Sequence, residues 1–80
     1  MKFILLVATM VLDGDGSRAA SETTATYGNE AACTKAVEIR TGQGMHATRG
    51  GYRLIININN LDGRRIGQTT YVCSPYATDN

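Results

Sequence analysis

Phe3-Ile4-Leu5-Leu6-Val7-Ala8-Thr9-Met10-Val11-Leu12, preceded by Lys2 and followed by Asp13-Gly14-Asp15-Gly16, is the stretch whose reading decides the fold. An apolar run of this length is too short to cross a bilayer as a helix. Two readings remain. The basic start, the apolar stretch and Ser17-Arg18-Ala19 before Ala20 have the form of a secretory leader, residues 1–19, removed by cleavage after Ala19. Against it, the acidic, turn-forming Asp13-Gly14-Asp15-Gly16 stands where a leader has a neutral region, and instead suits a strand that ends in a tight hairpin. A buried first strand in a cytoplasmic protein is the main expectation, and an exported protein the alternative. As a strand, Phe3, Leu5, Val7 and Val11 point one way while Ile4, Leu6, Ala8, Met10 and Leu12 point the other. Both faces are apolar.

Outward from this strand, residues 20–27 are Thr-rich and weakly alternating, which suits an antiparallel partner at or near the sheet edge. Gly28 and Asn29 break the pattern, and Asn29 is placed to cap a helix over Glu30–Thr41, with Glu30 at the positive end of its dipole and Gly42 as its terminator. Ala32, Cys33, Ala36, Val37 and Ile39 recur at roughly helical spacing and form the expected inner face. Gly42 to Gly51, rich in glycine, reads as a mobile loop. Tyr52, Leu54, Ile56 and Ile58 alternate with Arg53, Ile55, Asn57 and Asn59 in a strand, Asp62-Gly63 marks a hairpin, and residues 64–73 return. Ser74-Pro75 is expected to stop that strand. The fold class is therefore α+β: an antiparallel sheet of about four strands, β-β-α-β-β, with one helix packed on one face.

Composition bounds what such a chain can do. Eighty residues, 42% of them apolar, make one small domain spanning residues 1–80. A domain of this size buries only about 60% of the surface its unfolded chain exposes, so the core is thin. The net charge of +1 gives no global attraction to nucleic acid or to a membrane surface. With no Trp, one Phe and four Tyr there is no broad aromatic platform for stacking bases.

Cys33 and Cys73 belong to no CxxC pair, and together with the single histidine, His46, they fall short of a structural zinc set. They are either two buried thiols or a disulfide tying the helix to the last strand. No cofactor is expected. His46 is the one histidine on offer as a general base, and no Ser-His-Asp grouping is apparent around it. Gly42-Gln43-Gly44 lacks the spacing of a phosphate loop and follows a helix instead of opening one. Asp13-x-Asp15-x-Ser17 starts like a calcium loop, but Arg18 and Thr24 occupy the positions that need Gly and Glu. These absences argue against an enzyme.

Charge is unevenly distributed. Residues 13–38 are dominated by Asp13, Asp15, Glu22, Glu30 and Glu38, whereas residues 40–65 carry Arg40, Arg49, Arg53, Arg64 and Arg65 against Asp62 alone. Arginine suits bidentate contact with carboxylate or phosphate. One helix can cover one face of a sheet whose first strand is apolar on both, so the other face calls for a cover: a second copy in a homodimer, or another protein.

Size, element order, the helix and strand cysteines and the lack of catalytic groups together resemble small phage or mobile-element proteins, the anti-CRISPR inhibitors in particular. The resemblance lies in format, with no diagnostic motif. It implies a non-enzymatic inhibitor that docks on a CRISPR-Cas subunit in the bacterial cytoplasm and blocks it sterically, without crossing or binding a membrane. The expected contact residues are Arg49, Arg53, Arg64 and Arg65 with the loop residues Met45 and His46. The alternatives are a disulfide-stapled exported protein and a weak nucleic-acid binder acting through the same arginines.

Overall fold

In the computed structural model, which describes residues 2–13 and 16–76 and the side chains of all these except 13 and 16–20, the first apolar run is β1, Lys2–Asp13. It pairs antiparallel with β2, Gly16–Tyr27, bringing Leu5 opposite Ala25 and Asp13 opposite Gly16. The expected turn at Gly14-Asp15 lies outside the described residues.

Helix α1, Glu30–Thr41, begins as its caps dictate. Asn29 is extended, and its side-chain oxygen accepts from the Ala32 amide at 2.8 Å. At the other end Gly42 takes φ 75°, a left-handed conformation that glycine adopts without steric cost, and its N–H donates to the Glu38 carbonyl at 2.7 Å. Cys33 and Val37 are buried, whereas Ala32 is exposed and Ile39 is 75% exposed. The inner stripe is therefore narrower than the spacing of the apolar residues suggested.

The loop reading of 42–51 needs correction. His46–Thr48 form a short edge strand, β3, that pairs with β4, Gly51–Asn59, so the sheet has five strands instead of about four. The final strand β5, Arg65–Tyr76, also runs past the expected stop at Ser74-Pro75. Pro75 lies opposite Phe3 of β1, beyond the last β4 partner of β5, the Tyr52–Cys73 pair. On that flank β5 is an edge, where a missing N–H costs no ladder bond.

The strand order is β2-β1-β5-β4-β3, antiparallel throughout, with α1 lying over β5, β1 and β2. The α+β class with one helix against the sheet is as expected. Leu5, Cys33, Val37, Leu54 and Cys73 form the core, with Phe3, Val7, Tyr27, Met45, Tyr52, Ile56 and Tyr71 packed around it. Cys33 and Cys73 are joined in a disulfide across this core, fastening α1 to β5. The sheet passes close at Gly67, where an added Cβ would stand 2.5 Å from the Met10 carbonyl oxygen.

A 12-residue helix is about 18 Å long, and a 12-residue strand such as β1 about 40 Å. The molecule accordingly measures 48 × 24 × 20 Å, and its radius of gyration of 14.1 Å exceeds the about 11.6 Å of a compact 80-residue domain. The helix covers one end of one face. Beyond it on that face Val11 and Ile58 stand partly in water, and Thr9 and Thr69 hydrogen-bond across the strands at 3.1 Å.

Candidate functional site: the uncovered sheet face

The registers define what the face opposite the helix presents. Leu6 stands beside Thr24 on β2 and Val72 on β5; Val72 stands beside Arg53 on β4, and Arg53 beside His46 on β3. The next same-face row reads Glu22, Ala8, Thr70, Ile55. Ile4 with Thr26 and Ser74 precedes these rows, and Met10 with Gln68 and Asn57 follows. An apolar band along β1, made of Ile4, Leu6, Ala8 and Met10, thus broadens through Val72 to Ile55. Polar residues rim it on both flanks.

Among the described residues no helix lies on this band. Ile4, Leu6, Ala8, Met10 and Val72 are only half-buried, by their own neighbours in the sheet, and Ile55 is 47% exposed. A contiguous apolar surface partly open to water is rarer on a folded monomer than single exposed apolar side chains are. The rim carries opposite charges on opposite flanks: Glu22 at the β2 edge, Arg53 at the β4 side.

The arginine set divides. Arg53 and His46 are neighbours on the open face, and Arg49 sits in the turn between β3 and β4 at the same end of the sheet. Arg64 and Arg65 lie at the far end of the β4–β5 hairpin; Arg65 faces Asn59, six residues along β4 from Arg53, about 20 Å away. Met45 does not join either group, because its side chain packs against the core on the helix side.

The hairpin tip is firmly held. The Asn60 side-chain oxygen accepts from the Asp62 and Arg64 amides, both at 3.0 Å, while the Asn60 amide donates to the Arg64 carbonyl at 2.9 Å. These bonds fix a turn between β4 and β5 in which Leu61 is fully exposed, with Arg64 closing the turn and Arg65 opening β5. At the opposite end the Tyr52 hydroxyl donates to the Glu30 carboxylate, joining β4 to the first turn of α1. That bond, with partial desolvation and the negative charge of Glu30, raises the phenol above its ordinary value.

The described residues contain no cluster of three or more His, Cys, Asp or Glu side chains able to hold a metal, and no helix among them is long and apolar enough to cross a membrane. A shallow depression beside Met10, Leu12, Arg65, Gly67 and Gln68 offers neither a nucleophile nor an acid–base pair. Val72, Ile55 and Glu22 were not singled out as site residues from sequence. Their alternation was legible, but it is the strand order that sets them beside β1 on one surface. Comparison of the chain with protein-family models, with curated proteins and with solved structures finds no match, so the case for a function stands on this surface.

Proposed function

We propose that the protein is a non-enzymatic binding module that works by covering and being covered. The observation that carries this reading is the apolar band Ile4, Leu6, Ala8, Met10, Val72 and Ile55, left open to water with a polar and charged rim. That arrangement, an apolar centre within a polar border, is the anatomy of a protein interface. The split arginine set supports the same reading, because Arg49 at one end and Arg64 and Arg65 at the other offer guanidinium groups to acidic surfaces outside the band.

The resemblance in format to anti-CRISPR inhibitors supplies a target class. In this account the protein docks on a subunit of a CRISPR-Cas complex through the Leu61–Arg64–Arg65 tip and obstructs it by bulk. Tagged protein incubated with nuclease-treated lysate of bacteria that express such a complex tests it. Retention of a Cas subunit in stoichiometric amount, lost with Arg64→Glu/Arg65→Glu, is the expected result. Failure to retain any Cas subunit refutes the target class, and retention unchanged by the charge reversal refutes the tip as the contact.

The disulfide favours a second reading, since such bonds persist mainly in oxidising compartments. In this fold, however, cleavage after Ala19 would remove all of β1, a strand flanked by β2 and β5 that supplies Leu5 to the core. The intact mass of protein recovered from cells separates the two: an uncleaved chain is incompatible with the leader reading, and a chain starting at Ala20 is incompatible with the cytoplasmic one.

A further inference from the structure

We infer that the surface covering the open face is a second copy of the same chain, related by a twofold axis that runs parallel to the strands. This rests on the proposal that the face is a protein interface, and it names the occupant.

Charge placement is the first argument. Two sheets stacked face to face with near-aligned strands admit a twofold axis between them either along or across the strands. An axis across the strands superimposes each edge on its own counterpart, so Glu22 would face the β2 edge of the other copy and Arg53 its β4, where no described same-face side chain has the opposite charge. An axis along the strands exchanges the edges. Each Glu22 then lies over the β4 side of the other copy, one same-face row from Arg53 and within reach of an extended arginine. The pairing occurs twice by symmetry. With the axis over the seam between β1 and β5, Leu6 and Ala8 of one copy rest on Val72 and Thr70 of the other. The apolar band is then buried between the copies, and the polar residues of β2, β4 and β5 in the same rows are covered with it.

Area is the second argument. Four strands about 4.8 Å apart, with four same-face rows about 6.8 Å apart, present roughly 500 Å² per copy. Two copies bury about 1,000 Å², the lower limit for a specific interface, so association is concentration-dependent. The same axis sets both β4–β5 hairpins at one end of the dimer, presenting two Leu61–Arg64–Arg65 tips side by side.

Glu22 and Arg53 of one chain stand three strand spacings apart, about 14 Å, too far for an ion pair within the protomer. A charge swap therefore reports a contact between copies. Sedimentation velocity on wild type, Glu22→Arg, Arg53→Glu, and an equimolar mixture of the two variants tests the geometry. Dimer is expected for wild type, at least tenfold weaker dimer for each variant alone, and wild-type dimer affinity for the mixture, in which every facing pair is again opposite in sign. A wild-type dimer whose affinity ignores both charges, or a mixture that stays monomeric, overturns the axis. A wild-type monomer at all concentrations overturns the second copy as occupant; binding assays with Leu6→Glu then decide whether the face serves another protein or none. Circular dichroism of each variant establishes that it is folded, since both charged positions are exposed in the protomer.

Discussion

Opening the Cys33–Cys73 disulfide should remove a large part of the stability of this domain. The two cysteines are 40 residues apart in sequence, and both are fully buried. In the chain-entropy account, closing a loop of that length lowers the entropy of the unfolded chain by about 13 cal/mol/K, worth roughly 4 kcal/mol at room temperature. A domain of this size has about 4–12 kcal/mol in total. Loss of the bond should therefore lower the melting temperature by about 20 °C. The perturbation is best made twice, by reductant on wild type and by Cys33→Ala/Cys73→Ala, with urea unfolding followed by circular dichroism. Because the bond acts through the unfolded state, the slope of stability against urea should rise as the open chain exposes more surface. A midpoint that does not move in either experiment would refute the reasoning. A lower midpoint with an unchanged slope would assign the loss to core packing instead.

Four further outcomes follow from the packing and the caps. Leu54→Ala, at a position 4% exposed, should cost about 2–5 kcal/mol in urea unfolding, whereas Ile39→Ala, 75% exposed on α1, should change stability by less than about 0.5 kcal/mol. Asn29→Ala removes the acceptor of the Ala32 amide and should cost about 1 kcal/mol in the same assay, with Asn29→Gly costing less. Gly67→Ala drives a Cβ against the Met10 carbonyl, and an about 1–3 kcal/mol loss is expected, read as a lower melting temperature. The raised Tyr52 phenol binds its proton more tightly folded than unfolded, so its contribution is complete below the unfolded value near pH 10 and is lost as pH climbs through the higher folded value. Tyr52→Phe should flatten the alkaline limb of a stability-versus-pH curve, and an identical limb in both proteins would contradict the Tyr52–Glu30 bond.

Much of the fold was legible because its signals were local. Asn29 and Gly42 bracket α1 through backbone chemistry that needs no tertiary partner, and the alternation of Tyr52 to Asn59 sets the faces of β4. Where the sequence reading fell short, the deciding influence was a neighbour. His46-Ala47-Thr48 has little strand character of its own and is extended because β4 offers it an edge; Pro75 continues β5 because β4 has already ended beside it. Ile39 kept the helical spacing of a core residue yet faces solvent, since β-strands lie beneath only one side of a short helix. The two-faced character of β1 made an uncovered surface foreseeable, but its composition was not. Val72 and Ile55 reach β1 only through the order β2-β1-β5-β4-β3, and Glu22 is set against Arg53 only by the same order. The arginines, adjacent in sequence analysis as one basic segment, are separated by the length of β4.

The central claim is that the open sheet face is a contact between two copies of the chain, and methyl accessibility tests it most directly. A soluble paramagnetic probe added to methyl-labelled protein at high concentration attenuates signals from side chains that face water. Ile4, Leu6, Met10 and Val72 should be protected, and should lose that protection on dilution, while the solvent-facing Ile39 on α1 is attenuated throughout. Attenuation of the sheet-face methyls at every concentration, to the same degree as Ile39, would contradict the account.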